Sequence, residues 1–500
     1  MAVRELVEVK DYGHYIGGQW VPSESGEWFE TKNPATGDVL ARFPKGTRSD
    51  VLRAIDAAEA AFPAWKKTPP PKRGEILLRA AQIMRERKQA LGELVSSEMG
   101  KVIAEGKGDV QEAIDFLEYI AGEGRRMLGE TTPSELPNKF CMTVRQPIGV
   151  VGCITPWNFP MAIPIWKIGA ALISGNTIVF KPASLTPLCV AVLAEILEEA
   201  GLPAGVLNVV TGGGGTVGME IVTNPRVKAV SFTGGVPAGK EIYAAAAKEL
   251  KSVELELGGK NPQIVLDDAN LELALDGVLF GAFGTAGQRC TATSRLIVQE
   301  GVYDKFLEML VKRVEALVVG DPLDPKVDVG PVVDEAAGES IMRYIEIGKQ
   351  EARLVTGGVR LTGGEYDRGF FIKPTIFETK HGTRISKEEI FGPVLSVIKV
   401  KDFDEAIRVA NDVEYGLSSS IYTRDVNLAF RAIEELETGI TYINAPTIGA
   451  EVHLPFGGTK HTGNGGREAG TSAIDEFTEI KTVFIDYSNR LQKAQIVDEK

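Results

Sequence analysis

Apolar residues recur at intervals of three and four over residues 51–65 (VLRAIDAAEAAFPAW) and 72–101 (KRGEILLRAAQIMRERKQALGELVSSEMGK). That spacing lays an apolar stripe along one face of a helix, so two amphipathic helices are predicted, separated by the prolines at 69–71. A shorter N-terminal motif, YIGGQW, reads as a hairpin or strand, and a third helical stretch covers 108–121. An irregular piece, 131–140, then leads into the strand-like CMTVRQP. From Pro147 the pattern changes. Short continuous apolar runs (PIGVVGCIT, NTIVFKP, VLNVVTG, KAVSFTG, SVELELGG) alternate with helical stretches (MAIPIWKIGAALIS, TPLCVAVLAEILEEA, PAGKEIYAAAAKEL). Buried strands separated by helices predict a doubly wound α/β domain over 147–257, with the N-terminal helices packed on it. Ligands of such folds bind beyond the carboxyl ends of the strands. After Gly258–Gly259 a second α/β stretch begins at NPQIVLDD and runs to ITYINAP. The final TVFIDYSN reads as an edge strand, which needs cover, and a neighbouring subunit is the expected source.

Composition narrows what such a chain does. Its 500 residues exceed what one hydrophobic core usually organises, so two or three domains are expected. A formal net charge of -13, with no basic run interleaved with aromatics, argues against a nucleic-acid partner. The N-terminal MAVRELVEVKDYG lacks the positive segment and apolar run of a secretory signal. No apolar run approaches the roughly 18 residues that span a bilayer, so neither membrane nor export is expected and the reading is cytoplasmic. Cys141, Cys153, Cys189 and Cys290 show no paired spacing, which points away from a disulfide framework or a zinc ribbon. His14, His381, His453 and His461 are scattered without metal-ligand spacing, so no metal is expected.

Candidate chemistry centres on GTAGQRCTAT, where Cys290 stands among small residues. Histidines are too few and too scattered to supply a local base, which leaves a carboxylate as the more available partner. Glu256, at the end of SVELELGG, is such a carboxylate, although a solvated strand terminus explains it equally well. In PWNFP two prolines fix the backbone around Asn158, whose amide is a candidate donor to a developing oxyanion. Two glycine clusters lie between a strand and a helix. GGGGTVG contains a literal GxGxxG at Gly213, Gly215 and Gly218, but lacks the acidic residue expected about 20 positions later. A tight turn or a dinucleotide contact accounts for it. FTGGVPAG, with Gly234 and Gly239, opens a helix whose unpaired N–H groups suit a pyrophosphate. Lys181 ends NTIVFKP, either capping the strand in solvent or reaching a ribose hydroxyl or phosphate.

The ordered set PWNFP, KPA, FTGG, ELGGK, GQRC and EEIFGP, from YIGGQW near the start to FGGTKHTGNGGREAG near the end, resembles the aldehyde dehydrogenase superfamily. The resemblance implies an α/β fold with a Rossmann-type cofactor domain, an α/β catalytic domain and a split β-rich oligomerisation element. The implied division is 1–124 and 147–257 with a return at 456–480 for the cofactor domain, 258–455 for the catalytic domain, and a hairpin at 125–146 with an arm at 481–500 for assembly. It implies a homodimer or homotetramer acting on an aldehyde with NAD or NADP, by the hydrolytic route. Cys290 matches the nucleophile, Glu256 the general base and Asn158 the oxyanion donor beside the Cys290 backbone N–H. Lys181 matches the adenosine-ribose ligand, and Glu389 and Phe391 match the residues holding the nicotinamide ribose and ring. Ile154, Thr155, Pro156, Trp157 and Leu257 line the implied cofactor cleft. Gly214, Gly218, Phe232 and Gly234 match adenosine and pyrophosphate contacts, Gly214 falling between two glycines of the literal fingerprint.

Two departures stand out. Family members strict for NAD usually carry a glutamate three residues after the lysine of KPA, where this chain has Ser184, so NADP is expected to be accepted. Gly235 replaces a usual phosphate-binding serine. Trp166, Lys167, Arg289, Thr291 and the loop 444–456 are expected to shape the substrate entrance. Arg289 either pairs with a substrate carboxylate or forms a supporting salt bridge. PMAIPIWK and GQRCTATSRLIV look most like semialdehyde dehydrogenases, particularly those oxidising 2-oxoglutarate semialdehyde. The stretch from NAPTIGAEVHLPF onward is also similar to the branch acting on aminoadipate semialdehyde. A CoA-acylating dehydrogenase would use the same cysteine, but the water-activating Glu256 favours hydrolysis.

Overall fold

The computed structural model describes residues 9–495. Residues 1–8, at the head of the expected N-terminal part, and 496–500 of the expected arm lie outside that range. The first predicted helix forms as Arg48–Trp65, started by a capping box in which Thr47 accepts from the Asp50 N–H and Asp50 accepts from the Thr47 N–H. The single helix expected over 72–101 is instead two, Pro70–Glu86 and Lys88–Met99, broken at Arg87, which leaves helical geometry and pairs with Glu199 at 2.8 Å. Apolar periodicity continues across a one-residue break, so the pattern alone does not show it. The third helix is longer than predicted, Ile103–Glu123, and packs against both.

The first large sheet runs Ser252–Glu256, Val227–Thr233, Val150–Ile154, Thr177–Lys181, Leu207–Val209, His14–Ile16, Gln19–Val21. Its first five strands are parallel, and the last two are the YIGGQW hairpin, turned by Gly17 and Gly18 at φ 62 and 78. Helix Ala162–Ser174 is buried along its whole length behind this sheet, which is why its sequence reads apolar all round. The second large sheet runs Arg353–Thr356, Thr375–Thr379, Val394–Val400, Thr293–Gln299, Asn261–Val265, Ser418–Tyr422, Ile440–Ile443, with only Arg353–Thr356 antiparallel. Glu256 ends a strand of the first sheet and Asn261 begins one of the second. The short Leu257–Lys260 link therefore brings the carboxyl ends of one sheet to the amino ends of the other.

The third sheet corrects two expectations. Residues 131–140 are irregular only over 134–138, and contribute strands at Thr131–Pro133 and the start of Lys139–Pro147. The C-terminal strand Thr478–Asp486 pairs antiparallel with Lys139–Pro147 over its full length, so its cover on that side comes from its own chain rather than a neighbour. Its outer edge has no strand partner among the described residues, and Ile480, Phe484 and Ile485 on it are exposed. Among the described residues no helix is long and apolar enough to cross a membrane, and no cluster of side chains could hold a metal ion.

His14 is fully buried between the sheet and the capping box: Nδ1 accepts from the Thr211 N–H at 3.3 Å and Nε2 lies 3.4 Å from Asp50. Burial lowers its pKa from 6.5 to about 4. Between those values the unfolded chain binds a proton that the folded chain refuses, so stability is present above pH 6.5 and is lost as the pH falls toward 4. The loss expected from this group is about 3 kcal/mol. Chemical denaturation of His14→Asn across that range should show a shallower pH slope than the parent protein, and an unchanged slope would assign the loss elsewhere.

Candidate active site

Cys290 sits in the turn that joins Leu271–Phe283 to the strand Thr293–Gln299. Thr285, Ala286 and Gly287 all take left-handed φ, 53, 52 and 69, which reverses the chain sharply. The Cys290 carbonyl accepts from Asn261 Nδ2 at 2.7 Å, tying the turn to the first strand of the second sheet. Cys290 is half-buried, whereas Cys141, Cys153 and Cys189 are buried. Opposite it, TPWNFP leaves the carboxyl end of Val150–Ile154, and Asn158 Nδ2 donates to the Gln288 carbonyl at 3.2 Å. One amide hydrogen of Asn158 is thus anchored on the cysteine turn, and the other remains for an oxygen beside Cys290. The two residues share a cleft of about 200 Å3 with Pro156, Trp157, Gly234, Gly235, Leu257, Glu389 and Phe391.

Glu256 stands behind this cleft rather than on its wall. It is 2% exposed, and both carboxylate oxygens lack a hydrogen-bond partner. A Cβ on Gly457 would come within 2.3 Å of Oε1, so that glycine makes the room the carboxylate occupies. Burial, reinforced by Glu254, Glu468 and Glu476, pushes its pKa well above the usual carboxylate range. The opposing charge is Lys167, fully buried and donating to Ser231 at 2.6 Å, to Glu254 at 3.2 Å and to Glu468. Lys167 therefore does not shape the substrate entrance as expected; it is held inside the first domain beneath Glu256. Trp166 is buried with its ring edge-on to Phe456 at 5.1 Å and near Phe116 at 6.2 Å, which places the end of the 444–456 loop against it. Burial, then Glu256 and Glu389, push the Cys290 thiol up to about 12. At neutral pH the thiol is protonated and needs a proton acceptor as it reacts, and a carboxylate with a raised pKa is a competent one.

Of the remaining expected positions, Pro156, Trp157, Gly234, Gly235, Leu257, Glu389 and Phe391 line the same cleft, whereas Ile154, Thr155, Lys181, Ser184, Gly214, Gly218 and Phe232 do not. Glu389 is pinned by the Gly259 N–H at 2.9 Å, and any side chain at Gly258 would meet it at 2.2 Å. Burial raises its pKa to about 7. Phe391 holds a left-handed φ of 57 with its ring edge-on to Trp157 at 5.5 Å. Leu257 packs beneath Gly239, where a Cβ would approach it to 2.6 Å, and Phe232 packs beneath Gly234, where the approach would be 2.5 Å. These glycines let the helix Val236–Ala246 start close against the sheet. Gly235 caps that helix with open space around its α-carbon. Gly214 and Gly218 bound a single wide turn ahead of Met219–Thr223, and an added Cβ at Gly213, Gly214 or Gly215 would meet nothing. Ser184 donates to the Gly212 carbonyl at 3.3 Å.

The fit with a dinucleotide rests on polar atoms at the carboxyl ends of the neighbouring strands Val150–Ile154 and Thr177–Lys181. Thr155 Oγ1 is buried with no partner. Lys181 is 6% exposed, donates only to the neighbouring Pro182 carbonyl at 3.0 Å, and is lowered by burial to about 8. A buried hydroxyl and a buried amine without adequate partners, beside a bare glycine turn, suit a polar ligand carrying ribose and phosphate.

Residues 20–483 match the aldehyde dehydrogenase family. The chain is 45% identical over 484 residues to the alpha-ketoglutaric semialdehyde dehydrogenase of Bacillus subtilis, covering 96% of this chain and 99% of that one. The chain belongs to the aldehyde dehydrogenase family. Its fold matches an Escherichia coli NADP-dependent enzyme with a TM-score of 0.92 at 41% identity, over 97% of this chain and 99% of the other. It also matches betaine aldehyde dehydrogenase from Staphylococcus aureus solved with NAD+, with a TM-score of 0.95 at 35% identity over 98% of each. This aldehyde dehydrogenase oxidises an aldehyde with NAD(P) through a cysteine, on the α/β architecture expected from its motifs.

Several contributors were not anticipated. Thr233 and Ile163 line the cleft, and Glu468 and Glu476 act on Glu256 through space. Glu468 was visible only as the acidic residue of GGREAG in a glycine-rich loop. The alternatives for Arg289 resolve toward the salt bridge: its Nη2 lies 2.6 Å from Glu105. Gly457→Ala should push the Glu256 carboxylate aside and lower turnover roughly 100-fold, the scale of a misplaced catalytic group. The circular dichroism spectrum should stay unchanged, and full activity in that variant would show that Glu256 is not confined there.

Proposed function

We propose that Cys290 is the nucleophile, Asn158 and the Cys290 backbone N–H the oxyanion donors, and Glu256 the base that activates water. The supporting observation is the placement of the half-buried Cys290 and Asn158 in one cleft, with an unpartnered, high-pKa carboxylate behind them. The Cys290 thiol gives up its proton and its sulfur adds to the aldehyde carbon. Asn158, already tethered at Gln288, then donates to the oxygen that becomes negative, an interaction stronger in the tetrahedral adduct than in the aldehyde. The nicotinamide, when bound, supplies the hydride acceptor that makes this an oxidation. Lys181, Glu389 and Phe391 would hold it, with Gly214, Gly218 and Gly234 giving its phosphates and adenosine close approach. Glu256 then takes a proton from water, which attacks the resulting thioester carbon and releases the carboxylic acid and the free thiol. A buried base with no hydrogen bond to lose is well suited to that task. The same step separates this reading from CoA acylation, which needs no water base.

The substrate class is 2-oxoglutarate semialdehyde and similar short carboxylated aldehydes, supported by full-length likeness to the Bacillus enzyme named for that substrate. Ser184 leaves no carboxylate where one would repel a 2'-phosphate, so NADP is used as well as NAD. The open outer edge and exposed Ile480, Phe484 and Ile485 of the C-terminal strand support a homodimer or homotetramer, and four free thiols support a cytoplasmic setting.

Three measurements test this reading. Cys290→Ser should abolish oxidation while leaving cofactor binding intact, and retained turnover would reject the nucleophile. Glu256→Gln should lower steady-state turnover by about 100-fold or more; a burst of reduced cofactor that survives would confine Glu256 to thioester hydrolysis, and a burst lost with it would make Glu256 the acceptor of the Cys290 proton as well. Steady-state kinetics with both cofactors should give comparable kcat/KM, and a thousandfold advantage for NAD would overturn the Ser184 argument.

A further inference from the structure

The turn before Cys290 is strained. Thr285 and Ala286 both carry a Cβ at φ 53 and 52, a region where that atom crowds its own backbone. Gly287 follows at φ 69, and a Cβ there would lie 2.2 Å from the Gly392 carbonyl, so the turn has no room to relax toward Phe391. Something must hold this geometry.

Gln288 donates to the Thr285 carbonyl from its side chain at 3.1 Å and its backbone N–H at 3.0 Å, and the other holding contacts converge on one ion pair whose acid comes from the far N-terminal half of the chain. Glu105, on helix Ile103–Glu123, accepts from the Thr285 N–H at 2.9 Å with one oxygen and from Arg289 Nη2 at 2.6 Å with the other. Arg289 Nε donates to Thr285 Oγ1 at 2.9 Å. The pair is nearly enclosed, with the two side chains 11% and 10% exposed. The guanidinium also lies 5.4 Å from the ring of Phe159, the neighbour of Asn158, and 5.3 Å from that of Phe280. One cation therefore touches the strained turn, the segment carrying the oxyanion donor and the helix leading into the turn.

We propose that Arg289 and Glu105 are positioning residues, a clamp that holds the Thr285–Ala286–Gly287 turn in its left-handed path and so sets Cys290 against Asn158, and that Arg289 is not the ligand of the substrate's carboxylate. The proposal rests on Cys290 being the nucleophile. Two of the three guanidinium nitrogens are already engaged, and withdrawing them toward a substrate would release the turn that the reaction needs.

The test uses Glu105→Gln, Arg289→Gln, the double variant, and each single combined with Ala286→Gly. The readouts are the burst rate, the rate of Cys290 alkylation by iodoacetamide, and KM for 2-oxoglutarate semialdehyde and for propanal. Each single variant should slow the burst by about tenfold to a hundredfold, with both KM values within about twofold of the parent. The double variant should be no slower than the slower single, because both remove the same clamp. Adding Ala286→Gly should restore at least about fivefold of the lost burst rate, since glycine takes that φ without a Cβ. A merely structural defect would lower thermal stability without this recovery. Multiplicative single effects, or no recovery with glycine, would overturn the clamp. A tenfold rise in KM for the carboxylated aldehyde alone in Arg289→Gln would instead make Arg289 its ligand. Should Arg289→Gln fail to fold, the Glu105→Gln pair with and without Ala286→Gly carries the same comparison. Failure of the nucleophile reading itself shows separately, as turnover in Cys290→Ser.

Discussion

A carboxylate buried without a hydrogen bond is the constraint around which this protein is arranged. Glu256 is enclosed by the protein, and its Oε1 faces the bare α-carbon of Gly457 instead of a donor. Such a group is costly in its charged form, and the surroundings answer by raising its pKa rather than by pairing it. Lys167 lies in the same interior and is satisfied by Ser231, Glu254 and Glu468, so the neighbourhood is not simply acidic. A conventional salt bridge to Glu256 would hold it charged and weaken it as a base.

The negative neighbourhood also acts on the nucleophile. Glu256 and Glu389 add to burial in pushing the Cys290 thiol toward its protonated form. Proton transfer is thereby coupled to the arrival of an electrophile rather than completed beforehand. The architecture permits this because the carboxyl ends of the first sheet abut the amino ends of the second. The short link Leu257–Lys260, with glycines at 258 and 259, joins the strand that ends in Glu256 to the one that begins at Asn261, whose side chain holds the Cys290 carbonyl. Gly258 and Gly259 are needed there, since a Cβ would strike Glu389 in the first case and the Cys290 carbonyl in the second.

Much of this was legible in the chain. The alternation of apolar runs with helical stretches pointed to the doubly wound sheet, because parallel strands buried on both faces have no polar face to interrupt the run. The ordered motifs singled out Cys290, Asn158, Glu389 and Gly234, which line one cleft, and Lys181 and Gly218, which lie together apart from it. Errors clustered where local pattern is silent. The break at Arg87 leaves the apolar period intact, and the strand pairing of 139–147 with 478–486 joins segments from opposite parts of the chain. Lys167 looked like a surface residue of the entrance because a lone lysine in an apolar helix gives no sign of which buried carboxylates await it.

The sequence by itself determined the class of fold and the family and singled out Cys290 as the candidate nucleophile, since each is written in residues close together in the chain or in motifs of recognisable order. Tertiary structure alone decided the electrical surroundings of the site and the partner of Arg289. Burial and through-space charge depend on which distant side chains are brought together, and Glu105 lies 184 residues from Arg289. Adjacent placement of Arg289 and Cys290 in GQRC left open whether the guanidinium served the substrate or the fold. The partner that the fold provides, Glu105, is supplied by a helix packed from the other end of the chain.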